Sequence, residues 1–351
     1  MLEYTIVVDA MGGDQWPRAP IHGGLLALKE LPEDFCITFV GDTAAITTEL
    51  ARHRIAYPHQ RERVRIVHAS ERIEDQDKPV DVLSQKPDSS LQVALREVKE
   101  GRGHALVSAG NTGALMAGSL LMLGRIRGVE RPAIAATFPT VAGTPCVILD
   151  VGANADSRPE YLAQFGLMGA RYAELVLEVP NPLVGLMSLG AEAGKGSKLT
   201  TQAYQLLQQL HDRGLIHFAG NVEGNSVFTG NQAVIVIEGF AGNVMLKLTE
   251  SIKPTIEAML RKAVWDGGKL QRVFAFLAFK VLLTPTVGAL KRGLDYERYG
   301  GAPLLGIDGT VIKAHGRSTE VAFRFAIANA RLAVVNQVTQ KIAAGLQSLA
   351  S

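Results

Sequence analysis

With 351 residues, 47% of them hydrophobic and 20% charged, the chain is long enough for one large α/β domain or two closely joined ones, and a disordered protein is excluded. A formal charge of +2 excludes an overall basic nucleic-acid binder but leaves room for local patches. No window reaches the roughly 18 uninterrupted apolar residues of a spanning helix, and no signal-peptide pattern precedes the first strand, so a cytoplasmic location is expected.

The first predicted strand, Tyr4 to Val8, stops at Asp9 and enters Ala10-Met11-Gly12-Gly13-Asp14, a glycine and aspartate turn. A helix follows over Arg18 to Glu30, then strands over Phe35 to Val40 and Val64 to Val67. The polar knot Lys86-Pro87-Asp88-Ser89-Ser90 opens a helix over Ser89 to Glu100. One Asp or Ser suffices as its cap, which leaves Lys86, Ser89 and Ser90 as candidate anion contacts. The strand Ala105 to Ser108 runs into Ala109-Gly110-Asn111-Thr112-Gly113. There the free N–H groups of a helix start can cradle phosphate, or Asn111 or Thr112 can simply cap the helix.

Strands over Pro145 to Asp150, Pro182 to Leu189, Ile216 to Ala219 and Ala233 to Ile237 alternate with helices over Pro159 to Glu178 and Lys198 to Arg213. Most strands read as continuous apolar runs, which predicts a mainly parallel sheet in an αβα sandwich. Ligands of such sheets gather at the carboxyl ends of the strands. Six of these ends carry Gly with Asn, Asp, Glu or Lys, bringing Asp9, Asp14, Asn111, Asn154, Lys195, Asn221, Glu223, Glu238 and Asn243 forward as one shared polar pocket. Each end taken alone also fits an ordinary turn or cap. His315 follows a strand-like run and precedes the last helix; it is either a site residue or a polar helix entry.

Between Glu250 and Gly300 the rhythm breaks. A helix is predicted to end near Trp265, and the segment holds nine Lys or Arg against five Asp or Glu. The run containing Phe274, Phe276, Leu277, Phe279 and Leu282 is apolar nearly all round and must be covered by a core, a partner subunit or a lipid surface. Several chemistries lack their signatures: there is no Walker motif, no dinucleotide fingerprint, no serine-hydrolase elbow and no metal-ligand spacing among the scattered histidines. Neither a metal nor a cofactor is expected. Cys36 and Cys146 match no redox spacing and are expected to be buried free thiols.

The strings "VDAMGGDQWP" (Val8 to Pro17), "SAGNTGAL" (Ser108 to Leu115), "LDVGANADSRPEYLAQFGLMGA" (Leu149 to Ala170), "GNVEG" (Gly220 to Gly224), "EGFAGNVMLK" (Glu238 to Lys247) and "YGGAPLLGIDGTVIKAHG" (Tyr299 to Gly316) resemble the bacterial phosphate acyltransferase family, PlsX. The resemblance is collinear over nearly the whole chain. It implies one unit over residues 1–351, related to the isocitrate/isopropylmalate dehydrogenase and phosphotransacetylase folds, with residues 250–300 as a helical, basic and apolar tip. It also implies a homodimer at the membrane surface. The implied reaction moves a long-chain acyl group from acyl carrier protein to inorganic phosphate. The acyl phosphate then feeds a membrane glycerol-3-phosphate acyltransferase in phospholipid synthesis, and no nucleic acid is involved. Departures from the family pattern fall at Gly190 to Ser197, where two acidic side chains are missing, at Glu238 in place of Asp and at Ala241 in place of Thr.

The residues suit that reaction. Phosphate is largely dianionic at neutral pH and a thiolate leaves readily, so positioning and oxyanion stabilisation remain to be supplied. On this reading Asn111, Thr112 and Gly113 cradle phosphate, and Lys195 neutralises phosphate or the departing thiolate. Asn154, Asn221 and Asn243 donate to oxyanion or phosphate, while Asp9, Asp14, Gly12 and Gly13 shape the floor. Two rival readings are a phosphotransacetylase-like enzyme using short acyl-CoA and a catalytically weak membrane scaffold that recruits acyl carrier protein.

Overall fold

A computed structural model describes residues 3–53, 55–74, 76–79, 81–265 and 300–350. The run containing Phe274, Phe276, Leu277, Phe279 and Leu282 therefore lies outside the described residues. The first part of the chain supplies strands β1 (Tyr4–Asp9), β2 (Phe35–Gly41), β3 (Val64–His68) and β4 (Ala105–Ser108). The middle supplies β5 (Ala133–Phe138), β6 (Cys146–Leu149), β7 (Leu183–Met187), β8 (His217–Val222) and β9 (Val234–Val236), and a final hairpin adds β10 (Ala302–Leu305) and β11 (Thr310–Lys313). All join one sheet in the order β3-β2-β1-β4-β11-β10-β5-β6-β9-β7-β8.

The β-branched and aromatic runs of β1 and β2 are almost completely buried, as strands covered on both faces must be. Each fully buried Phe or Ile contributes roughly 1.5–3 kcal/mol. Helices α1 (Arg18–Glu30) and α2 (Thr43–Arg52) cover one face, and helices α3 (Asp81–Gln85), α4 (Ser90–Lys99) and α5 (Thr112–Met122) follow on the other. Next come α6 (Pro159–Leu175), α7 (Lys198–Asp212) and α8 (Gly239–Trp265), then α9 (Glu320–Val335) and α10 (Val338–Ala350). The single last helix expected from sequence is thus two, divided at Asn336 and Gln337, where Gln337 has φ 54°.

The parallel sheet expected from sequence is present in two blocks, β3-β2-β1-β4-β11 and β6-β9-β7-β8. The blocks are joined by three antiparallel pairings, β11 with β10, β10 with β5, and β5 with β6. Three reversals make the two blocks run in opposite directions, so their carboxyl ends lie at opposite edges of the sheet. The layer under α4, α5 and α8 is shared by both blocks: Val7, Leu106 and Val311 of one pack into the same cluster as Ile148 and Ile235 of the other.

Candidate active site

Between α5 and α8, over β5, this shared layer opens into a cavity of about 620 Å³. Alternation along β5 turns Ala133 and Ala135 toward α6 and leaves Ile134, Ala136 and Phe138 as the floor. One wall is the α5 face carrying Gly113, Met116, Ala117 and Leu120, at helical spacing. The other is the α8 face carrying Asn243, Leu246, Lys247 and Glu250.

The ends of this trough differ. At the Ile134 end the Val151 N–H donates to the Ile134 carbonyl at 3.0 Å, bringing in the loop after β6 with Gly152 and Ala153. At the other end stand Thr112 and Gly113, where α5 begins, Lys313 at the end of β11, and His315 and Ser318 in the chain after it. Lys313 is set level with Ala302 by strand pairing, and its ammonium donates to the Ala109 carbonyl at 3.3 Å and to that of Ala314. Lys247 pairs with Glu250 at 2.9 Å, and the other Glu250 oxygen lies 4.0 Å from His315 Nε2. The Arg317 N–H donates to His315 Nδ1 at 3.1 Å, which places the proton of the neutral ring on Nε2. Burial chiefly lowers the His315 pKa below 6.5; Glu250 opposes this, and the charges of Lys313, Lys247 and Arg317 reinforce it.

The first glycine turn supports this end without lining it. Buried Asp9 accepts from the Met11 N–H at 3.1 Å and from Ser108 Oγ at 2.7 Å, and Ser108 Oγ in turn accepts from the Gly110 N–H. A Cβ on Gly12 would stand 2.7 Å from Gly110 N, and one on Gly13, at φ 83°, would stand 2.8 Å from the Gly316 carbonyl. The close approach these glycines permit is therefore that of the protein's own loops, and the Asp14 N–H completes it by donating to Gly316 O at 2.8 Å.

At the Ile134 end Asp150, completely buried, accepts five N–H donors: those of Ile134, Gly152 and Ala153 on one oxygen, and the backbone and side chain of Asn154 on the other. Burial pushes its pKa up while these donors pull the other way. Groups that can only donate require an acceptor, which the carboxylate is. The Asn154 amide is committed to this loop, since it also donates to Pro132 O at 2.9 Å.

Other residues singled out from sequence lie elsewhere. Asn111 caps α5, its Oδ1 accepting from the Ala114 N–H at 3.0 Å, while its neighbours Thr112 and Gly113 face the cavity. Lys86 does not line the cavity; it pairs with Asp77 at 2.6 Å and holds the Arg72 carbonyl. Ser89 and Ser90 are buried at the start of α4, outside the wall. Lys195, Asn221 and Glu223 gather at the ends of β7 and β8. There the exposed Lys195 pairs with Glu192 at 3.0 Å, and the Asn221 amide donates to Glu192 O at 2.8 Å. Glu238 precedes α8, and its carbonyl accepts from the Gly242 N–H. The six strand ends therefore do not form one pocket: those of β4, β6 and β9 reach the cavity, β1 supports it, and β7 and β8 build a second cluster at the sheet edge.

Lys247, Glu250 and Lys313 were not singled out from sequence. Lys247 and Glu250 follow Asn243 at helical spacing on one α8 face, and Lys313 closes the strand before His315, so periodicity and the strand-end rule together point to them.

A family model described as "Fatty acid synthesis protein" matches residues 4–341. A phosphate acyltransferase of Alkaliphilus oremlandii is 43% identical over 344 residues, 98% of each chain, and one of Exiguobacterium sibiricum is 44% identical over 96% of this chain and 97% of its own. The chain belongs to the phosphate acyltransferase family. It is accordingly an acyltransferase of fatty acid synthesis. Among solved structures, a phosphotransacetylase from Streptococcus pyogenes superposes with a TM-score of 0.60 at 14% identity, covering 96% of this chain and 94% of its own. A putative 4-hydroxythreonine-4-phosphate dehydrogenase from Salmonella typhimurium superposes at 0.51 with 12% identity, covering 94% of this chain and 99% of its own. These two share the fold, which is the dehydrogenase-like and phosphotransacetylase-like α/β architecture. Among the described residues no helix is long and apolar enough to cross a membrane.

Proposed function

We propose that the α5–α8 cavity transfers a long-chain acyl group from acyl carrier protein to inorganic phosphate. The observation that carries this reading is the trough itself: a largely apolar floor and walls end at a cluster of Lys247, Lys313, His315 and the start of α5. An acetyl group would leave most of its 620 Å³ unfilled, which favours a long acyl chain over a short one.

In this reading the Thr112 and Gly113 N–H groups and the nearby lysines hold phosphate against the thioester. A phosphate oxygen attacks the carbonyl carbon, the carbon–sulfur bond breaks, and the carrier leaves as a thiolate that takes a proton from water. Neutral His315, with its proton on Nε2, is placed to donate toward the developing oxyanion rather than to act as a base. Loading the enzyme with palmitoyl carrier protein or acetyl-CoA, and trapping acyl phosphate with hydroxylamine, tests the assignment. Hydroxamate from the first donor is expected; hydroxamate from acetyl-CoA alone would transfer the assignment to short-chain chemistry.

We further propose a homodimer that works at a membrane surface. Phe240, Val244, Leu248, Ile252 and Ile256 form an exposed apolar stripe at four-residue spacing along α8, a face that a second copy would cover. Leu248→Glu is expected to yield monomer in sedimentation. Membrane contact, in support of delivery to a glycerol-3-phosphate acyltransferase, rests on the basic and apolar composition of residues 250–300 and is tested by liposome flotation.

A further inference from the structure

We propose that the trough is a ruler for acyl chain length, read from its Lys313 end, with Ala117 and Ala153 as the positions that set the graduations. The inference rests on the acyl-transfer reading and adds where along the cavity each part of the chain lies.

Three observations place the graduations. Most of the polar groups able to act on phosphate and a thioester, Thr112, Lys247, Lys313 and His315, stand at the Thr112 and Lys313 end, with Asn243 at the other. The floor running past them from Phe138 to Ile134, about 13 Å for four residues of strand, is apolar apart from Thr137. The α5 wall offers a small side chain, Ala117, five residues from Thr112, or about 7 Å along the helix axis. The far end is floored by a second small side chain, Ala153, whose loop is pinned by its N–H on the buried Asp150 carboxylate at 3.0 Å. Small residues at these two levels leave width for a chain, and neither position carries a polar side chain to oppose it.

An extended hydrocarbon advances about 1.2 Å per bond, as an extended backbone does. A hexanoyl chain anchored beside Thr112 thus reaches about the level of Ala117, a decanoyl chain approaches the Ile134 end, and a palmitoyl chain must pass Ala153. Bulk at Ala117 should therefore discriminate against both longer chains, whereas bulk at Ala153 should discriminate only against the longest.

The test compares kcat/KM for hexanoyl, decanoyl and palmitoyl carrier protein, with phosphate as acceptor and hydroxamate as readout, in the full-length enzyme. Ala117→Phe is expected to lower both the palmitoyl-to-hexanoyl and the decanoyl-to-hexanoyl ratios by about tenfold or more, the scale on which apolar pockets discriminate. Ala153→Phe is expected to lower the palmitoyl-to-decanoyl ratio and to leave decanoyl-to-hexanoyl in place. The reverse assignment, with Ala153→Phe rejecting decanoyl and Ala117→Phe rejecting only palmitoyl, would put the thioester at the Asn243 end and overturn the proposal. Unchanged ratios in both variants, with an active wild type, would overturn it too. A wild type that yields no hydroxamate from any donor sinks the acyl-transfer reading instead. If Ala117→Phe is not recovered folded, Ala117→Leu reads the same ratios with a smaller shift in the same direction.

Discussion

Two clusters of glycine, amide and lysine stand at strand ends in this molecule, and they are built for different work. At the Thr112 end of the cavity, Lys313, Lys247, His315 and Glu250 face a trough whose remaining walls are largely apolar, with Thr137, Asn243 and Thr249 among them. At the ends of β7 and β8, Lys195 and Glu192 are more than half exposed and satisfy each other, while the Asn221 NH2 is held by the loop's own carbonyls. The same residue types line a cavity in one place and a solvated loop in the other. What separates them is the apolar floor beside Lys313 and His315 rather than exposure alone, since Lys247 is as exposed (61%) as Lys195 (59%); low-dielectric surroundings strengthen a charge–ligand contact, and water weakens it.

The largest effect should come from breaking the frame of the trough. Asp150→Ala strips five N–H donors of their shared acceptor in a fully buried site. A loss of about 3–5 kcal/mol is expected, the scale for removing one partner from a buried charged network, and urea unfolding measures it. A loss under about 1 kcal/mol, the level of an ordinary hydrogen bond, would mean that the loop is held by packing alone. Next is Lys313→Ala, for which kcat/KM should fall about a hundredfold with a raised KM for phosphate, comparable to losing one oxyanion donor. Unchanged phosphate dependence would remove the lysine from the phosphate site.

Much of this architecture was legible in the chain, for reasons particular residues show. The apolar runs of β1, β2 and β4 announce strands buried on both faces, and they form as read. β5 and β10 went unread. The segment Ala133-Ile134-Ala135-Ala136 is rich in alanine, a weak strand former, and β10 contains Pro303, which reads as a breaker although it sits in the hairpin partner of β11. These two strands carry all three antiparallel pairings, so missing them concealed that the two blocks run in opposite directions. Six strand ends consequently looked like one pocket. Local turn chemistry made Asp9, Asn111 and Asn154 visible as polar strand-end residues, but it did not distinguish a side chain facing a ligand from one holding its own loop.

Lys195→Ala probes the comparison from the other side. Because Lys195 lies outside the cavity wall, turnover should fall less than tenfold, in line with the small worth of an exposed pair. A loss matching that of Lys313→Ala would break the contrast and bring the edge loop into the reaction.

The smallest and most specific effect is a shift in pH dependence. His315 is held below its ordinary value of 6.5 chiefly by burial, so the unfolded chain binds its proton more readily than the folded one. Its contribution to stability is therefore present above about 6.5 and is lost as pH falls toward the lowered folded value. Activity should share this acid limb, because the added proton goes on Nδ1, which then can no longer accept the Arg317 N–H at 3.1 Å that fixes the ring with its Nε2–H toward the cavity end. Glu250 pulls the other way, raising the His315 pKa. Glu250→Gln should accordingly move the acid limb of kcat/KM to lower pH, and His315→Gln should flatten it. An acid limb that stays in place in both variants would assign the titration to another group and leave His315 as a polar lining residue only.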